Sequence, residues 1–411
     1  MSNSTPPVLG CMSYLEGRRV RMHYTYANRQ PGPVELWLSL PPELPMQRRV
    51  QIHRLTPEPL QSQADGLGLN QLAFLELAKG ETLHLDVSAS LYRAAYDAKA
   101  CGSAPVLGDA ERALYLRSSS LIQVNDEVRT EAQRIIGDAV HPLVQARRLF
   151  TYLIRHGRYR WPPAARGSEA MRRGQPMKGD CGDYSFLYAA WCRALALPCR
   201  VLIGSWAHGR CQAHAWNEVF LEGIGWLPVD SSAHAQSVYL PGLSELDWAM
   251  RRVHHHFGHV AGDRLVFSID PGIPLIPTYV DEVAPAWVER AKFGDRPLAW
   301  GFESVDGAAP YLQPVYPRFS EVKRPLVTDA QLGSWRFDDP LGYRALTALL
   351  WAGVVFGVMG TLRVAAVGRV PTSLGWIVAD LILLQRQGPR WWLVGPLMVL
   401  LMDVIVRLAD G

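Results

Sequence analysis

The chain has 411 residues, which predicts two or three domains at the usual ~100 to 200 residues per domain. Hydrophobic residues make up 48% of the chain and charged residues 19%, a composition that excludes a wholly disordered protein. The 42 lysines and arginines nearly balance the 38 aspartates and glutamates, so the charge gives no support to a nucleic-acid partner.

The cysteine content and the N-terminus bear on the cellular location. Six cysteines are too few for a disulfide scaffold and none forms a CxxC pair, so we expect reduced thiols. The first ten residues contain no basic segment followed by an apolar run, and no secretory signal is recognised. These features predict a cytoplasmic protein, attached to the inner membrane if its C-terminal region inserts.

The first hundred residues alternate apolar and polar side chains with the period of two that half-buried strands require. The clearest runs begin at Val20, Val34 and Leu83, and a weaker run covers residues 72–77. Prolines end the second run because proline cannot donate to a β-ladder. Residues 1–100 are therefore predicted to form an antiparallel β-sandwich.

Residues 110–270 change first to a helical period and then back to that of strands. Three helices are predicted from their caps and apolar stripes: Asn125 to Gly137, Pro142 to Gly157, and Cys181 to Pro198. Three strands follow, at residues 200–204, 213–221 and 226–230. Helices followed by an antiparallel sheet indicate an α+β domain.

Cys181 lies in the run Gly179-Asp180-Cys181-Gly182-Asp183, in the first turn of the third predicted helix. The free N–H groups and the dipole of a helix start stabilise a thiolate, so we expect a lowered pKa for Cys181. His214 begins one predicted strand and Asp230 ends the next, so adjacent strands can present both side chains. In a Cys-His-Asp set the imidazole takes the thiol proton, and the carboxylate holds the imidazole tautomer.

Three segments together resemble the bacterial transglutaminase-like superfamily of papain-related thiol enzymes: Gly179-Asp180-Cys181-Gly182-Asp183, His214-Ala215-Trp216-Asn217-Glu218-Val219, and Gly225-Trp226-Leu227-Pro228-Val229-Asp230. The resemblance covers about residues 120–235. It implies that Cys181 is the nucleophile, His214 the general base and then acid, and Asp230 the residue that orients the imidazole.

The resemblance also implies the reaction class. It implies acyl transfer from the amide or thioester group of a protein, peptide or acyl-thioester substrate. With water as acceptor this is a peptidase or amidase, and with an amine it is an amide-forming acyltransferase. The chemistry needs no cofactor. The alternative function is a non-catalytic adaptor of the same fold or a membrane-tethered binding protein.

Two tryptophans and a cluster of four histidines are further candidates, for substrate binding and for metal binding. Trp216 and Trp226 are candidates for substrate binding, although aromatic residues on a strand also serve as core. Residues 254–256 are three consecutive histidines, followed by His259. Consecutive histidines cannot all face one ion on a helix, and no acidic or thiol partner lies at the required spacing, so no metal site is predicted.

The C-terminal third changes composition twice. Nine prolines between residues 271 and 325 predict an extended connection that covers residues 271–340. Residues 341–411 hold six arginines and three aspartates but no lysine or glutamate, and include an uncharged run of 18 residues. That run is at the lower limit for a membrane span, and the alternative is an apolar helical domain packed on the β-rich region. The predicted fold is thus α+β: a transglutaminase-like core preceded by a sandwich and followed by an apolar helical region.

Overall fold

The computed structural model describes residues 8–99, 101–103, 105–160, 166–207, 209–210, 212–233, 256–278, 315–319 and 327–333. The chain forms two compact units. One comprises residues 1–206 and 211–330, and the other comprises residues 207–210 and 331–411.

The strands follow in chain order as β1 (Val8–Leu9), β2 (Met12–Ala27), β3 (Val34–Leu40), β4 (Gln47–Thr56), β5 (Gln61–Ala64), β6 (Gln71–Leu77), β7 (Thr82–Tyr96), β8 (Arg158–Tyr159), β9 (Lys178–Gly179), β10 (Cys199–Trp206), β11 (Gly209–Arg210), β12 (Gln212–Leu221), β13 (Gly225–Val229), β14 (His259–Val260), β15 (Arg264–Ile269), β16 (Val315–Phe319) and β17 (Val327–Gly333). The helices are α1 (Asp109–Leu116), α2 (Asp126–Ile136), α3 (Pro142–His156), α4 (Ser168–Arg172) and α5 (Cys181–Ala194).

Two antiparallel sheets form the N-terminal region. The ladder between β2 and β7 runs from Met12 opposite Tyr96 to Ala27 opposite Thr82, and β4 pairs with the other edge of β7. The second sheet has the order β16-β3-β6-β5. The strands predicted from alternation are all present, and their alternate apolar side chains are buried. The exposed strand β4 was not predicted, because its side chains do not alternate between buried and exposed positions.

The proline-rich connection contains two strands that its composition did not predict. β16 includes Pro317 and pairs with β3 at the edge of the second sheet. An edge strand tolerates proline because its outward N–H group needs no partner in the ladder. The predicted extended connection therefore includes two strands, β16 and β17.

A helical layer and a four-stranded sheet make up the middle region. The sheet has the order β13-β12-β10-β15, and all its pairings are antiparallel. Helix α5 packs on β12 and contacts α2, α3 and α4. The three predicted helices are confirmed, including the cap in which the Asn125 side chain accepts from the Val128 N–H at 2.9 Å.

The expectation of reduced thiols is wrong for one pair of cysteines. Cys11 and Cys101 form a disulfide across a sequence separation of 90 residues. Cys181, Cys192 and Cys199 are free thiols. The sequence could not indicate this pair, because the two cysteines meet only after the region between them has folded.

The apolar run predicted as a helical tail lies outside the described residues, as does the rest of residues 341–411. Within the described ranges, no helix combines the length and hydrophobicity that a membrane span needs.

Candidate active site

Cys181 is the first residue of α5 and is half-buried. The residue before it, Asp180, caps the helix by accepting from the N–H groups of Gly182 at 2.8 Å and Asp183 at 3.1 Å. The Asp183 carboxylate accepts in turn from the Asp180 N–H at 3.1 Å, which completes a capping box. These reciprocal bonds fix the backbone on both sides of the Cys181 thiol.

The approach to this helix start is held in place by two further contacts. Arg166 lies 3.2 Å from the second oxygen of Asp180, and the Gly167 N–H donates to Asp183 at 2.9 Å. Gly179 has no side chain, and a Cβ atom there would lie 2.5 Å from the Cβ of Asp183. A larger residue would therefore push the chain away from the capping box.

His214 and Asp230 form a buried pair beside this helix. His214 Nε2 lies 2.7 Å from Asp230 Oδ2, and the two side chains are 0% and 1% exposed. The other carboxylate oxygen accepts from the Ala233 N–H at 3.0 Å and from the Ser232 hydroxyl at 3.3 Å. Asp230 is thus fixed by its own loop while it holds one edge of the imidazole.

The Cys181 sulfur meets the same strand next to the histidine. The backbone N–H of Ala215, the residue that follows His214 in β12, acts on the Cys181 thiol and favours its thiolate form. The structure therefore brings the helix start and the His214–Asp230 pair to one end of β12.

The thiol is not as acidic as its helix position predicts. Burial, and then the Asp180 carboxylate, raise the pKa of Cys181 well above its usual range, although the Ala215 N–H acts in the opposite direction. The expected lowered pKa is therefore wrong in this structure. The free-energy cost of removing a thiolate from water exceeds the stabilisation that the helix start provides. The negative charges of both capping carboxylates also disfavour a thiolate.

The pKa of Asp230 is shifted in the opposite direction to that of Cys181. Burial alone would raise the pKa of Asp230, but the interactions with His214 and Arg264 outweigh it and hold this pKa far below its usual range. Asp230 is accordingly ionised at neutral pH.

Aromatic rings enclose the imidazole. Trp206 stacks on His214 at a centroid distance of 4.4 Å, and Trp216 lies on the same strand at 5.7 Å. Trp216 is fully buried, so it packs against His214 and does not offer a surface to a substrate in this conformation. Its indole N–H has no partner among the described residues.

Trp226 lies far from the imidazole of His214. It is paired with Phe220, six residues along β12 from His214, which is roughly 20 Å at the rise of a strand. Its ring packs against Tyr115 and Phe220 and against the Arg200 guanidinium, 4.1 Å away. The structure therefore does not bring Trp226 together with the other candidate residues.

Two residues near the pair were missed in the sequence. Arg264 donates to Asp230 Oδ2 at 2.8 Å, and Trp206 covers the imidazole. The one available signal was a charged residue at the start of the apolar run Arg264–Ile269, which is buried along its whole length. A buried arginine requires a buried acidic partner, but the sequence does not say which.

The histidine cluster is only partly described. Residues 254 and 255 lie outside the described residues, and His259 begins β14. The carbonyl oxygen of His256 accepts from the Asp230 N–H at 2.9 Å. Within the described ranges, no group of three or more His, Cys, Asp or Glu residues is arranged to hold a metal ion.

Comparison with known proteins gives the family of this region. Residues 129–231 match the model of the transglutaminase-like superfamily, and this segment contains Cys181, His214 and Asp230. The match covers about a quarter of the chain, and this region is similar to that superfamily. Members of the superfamily are often cysteine peptidases or acyltransferases. No curated protein matches the chain.

Two solved structures are similar to the chain. The first is a proposed cysteine protease from Cytophaga hutchinsonii, with 15% identity and a TM-score of 0.45 over 63% of this chain and 83% of the other. The second is the periplasmic domain of TgpA from Pseudomonas aeruginosa, with 15% identity and a TM-score of 0.34 over 59% of this chain and 93% of the other.

Proposed function

We propose that this protein catalyses thiol-dependent acyl transfer from an amide or thioester, with Cys181 as nucleophile, His214 as general base and acid, and Asp230 as the residue that orients the imidazole. The observation that carries the proposal is the 2.7 Å contact between His214 Nε2 and Asp230 Oδ2, one residue from Ala215, whose N–H favours the thiolate form of Cys181. The substrate class is a protein or peptide, in keeping with the superfamily.

The roles of the two imidazole nitrogens follow from this contact. Asp230 accepts a hydrogen bond from the protonated Nε2 of His214. In neutral His214 this leaves Nδ1 unprotonated and able to take the thiol proton. Because the pKa of Cys181 is raised, the resting thiol keeps its proton. His214 removes the proton when a carbonyl is in place, as a general base.

The reaction then proceeds through a thioester. Cys181 Sγ bonds to the carbonyl carbon while its proton passes to His214 Nδ1, and the leaving amine or thiol takes that proton as its bond to carbon breaks. Water or an amine attacks the thioester and gives a proton to His214, and the Cys181 thiolate leaves and is protonated again. The Cys181 backbone N–H is our candidate donor to the oxyanion, because the Asp180 cap is made to the next two N–H groups.

One observation favours a second function, a non-catalytic adaptor that keeps the transglutaminase-like fold. The His214 imidazole is fully buried and the Cys181 thiol is held in its neutral form. A protein that only binds peptides would have no use for the proton transfer. The thiol reactivity of the native protein therefore separates the two functions.

The test is alkylation of the native protein by iodoacetamide, followed by peptide mapping. Cys181 is expected to react first, because it is partly exposed and Cys192 and Cys199 are fully buried. His214→Ala should slow this reaction, whereas the matched His156→Ala, an exposed histidine on α3, should not. If Cys192 or Cys199 reacts as fast as Cys181 in the folded protein, the proposed nucleophile is wrong.

A further inference from the structure

Arg264 shares one carboxylate oxygen with the imidazole. Its Nη2 lies 2.8 Å from Asp230 Oδ2, the oxygen that contacts His214 Nε2 at 2.7 Å. The Arg264 side chain is 4% exposed. Burying a guanidinium away from water is costly, so its position must be fixed by its partners.

The guanidinium is held on two other sides. Nη1 contacts Asp263 at 2.6 Å, and the central carbon lies 4.2 Å above the Trp206 ring. Trp206 stacks on His214 at 4.4 Å. Arg264 therefore touches two of the groups that contact the imidazole, Asp230 at its edge and Trp206 at its face.

We propose that Arg264 is a positioning residue of this site: it fixes the orientation of His214 through Asp230 and Trp206, and it sets the pH range in which the Cys181–His214 pair can release a proton. This inference rests on the proposed function. It assigns to Arg264 a role in the reaction that goes beyond stabilising the fold.

The charge has a definite effect on the cluster. The charged and titratable groups around it come from the segment before α4, the start of α5, the end of β13 and the segments just before β14 and at the start of β15: Arg166, Asp180, Asp183, Asp230, His256, Asp263 and Arg264. Arg264 offsets part of the negative charge of Asp230 and Asp263, the two carboxylates that it contacts. Without that positive charge, every proton in the cluster is harder to remove.

The experiment measures the rate of Cys181 alkylation against pH in the full chain. In Arg264→Gln, the first inflection on the acid side is expected to move upward by about one pH unit, since an opposite charge within ~4–6 Å shifts a titration by roughly one to three units. Arg264→Lys keeps the charge but loses the planar fork and the stacking. It is expected to keep the inflection within about 0.3 units and to lower the maximal rate by roughly tenfold.

Arg200 provides a matched control. It is also a buried arginine, paired with Glu218 at 2.5 Å and packed on Trp226 at 4.1 Å, but neither partner contacts His214. Arg200→Gln should destabilise the protein to a similar extent without moving the inflection. The role of Arg264 is overturned if Arg264→Gln moves the inflection no more than Arg200→Gln does.

The Lys variant keeps the inference testable if Arg264→Gln does not fold. An inflection and a maximal rate that both equal those of the unaltered protein would overturn the positioning role. Failure of the proposed function gives a different result. In that case His214→Ala, made with Arg264 in place, would be alkylated at Cys181 as fast as the parent protein.

Discussion

Replacing Asp230 by asparagine removes one charge from the centre of the site and leaves its volume unchanged. Asp230 Oδ1 accepts from Ala233 and Ser232, and Oδ2 accepts from His214 and Arg264. The asparagine oxygen can keep the first pair of bonds. Its NH₂ group then stands where Oδ2 was, facing a histidine nitrogen and an arginine N–H.

The new NH₂ group can bond to His214 only by donating to Nε2. The imidazole proton must then sit on Nδ1, the nitrogen that has to accept the thiol proton, so the general base is lost. The same exchange of tautomer in a Ser-His-Asp enzyme costs about 10⁴-fold in turnover, and we expect a similar loss here. At about 1.4 kcal/mol per factor of ten, this is about 5 kcal/mol of transition-state stabilisation. The free energy of unfolding should fall by about 3 kcal/mol, because Arg264 keeps Asp263 as a partner.

The assay is steady-state hydrolysis of a 4-nitrophenyl ester, with urea unfolding measured in parallel. Asp270→Asn is the matched control. Asp270 is equally buried, contacts Arg193 and Arg117 at 2.8 Å each, accepts from the Val201 N–H of the sheet, and is not among the described partners of Asp230. The control should lose similar stability and keep its turnover. A folded Asp230→Asn protein with turnover within about tenfold of the parent would refute the tautomer argument.

Three further predictions concern stability. Burial, followed by the Asp180 charge, raises the pKa of Asp183 to about 7. The folded state then holds this proton more tightly than the unfolded state, so the free energy of unfolding should fall as pH rises from about 4 to 7. Asp183→Asn should flatten that slope in urea titrations. Replacing Cys11 and Cys101 by serine opens a loop of 90 residues and should cost about 4 to 5 kcal/mol; an unchanged unfolding midpoint in both oxidised and reduced protein would contradict the disulfide. A Cβ at Gly204 would lie 2.0 Å from the Leu265 carbonyl, so Gly204→Ala should cost about 3 kcal/mol in the same assay and slow Cys181 alkylation.

The sequence was sufficient to predict the elements that position the site. The cap and the apolar stripe of α5 are recognisable in the sequence. Strands β12 and β13 are joined by a short turn that makes them neighbours. Because a strand pair fixes its register locally, His214 and Asp230 could be brought together without knowledge of the rest of the fold.

The features that escaped prediction depend on distant contacts. Arg264 reaches Asp230 from a strand 34 residues away, and Cys11 meets Cys101 across 90 residues. The pKa of Cys181 depends on how deeply the thiol is buried, which local helix geometry does not reveal. The cytoplasmic location remains a prediction from the sequence.

The most direct test of the thiol mechanism is to trap the acyl-enzyme. The full chain is incubated with a 4-nitrophenyl ester, quenched in acid and mapped by mass spectrometry. We predict a single acyl group on Cys181 that hydroxylamine removes, no such adduct in Cys181→Ala, and much slower formation in His214→Ala. An acyl group carried by another residue of the native protein, or an equal amount of adduct in Cys181→Ala, would contradict Cys181 as the nucleophile.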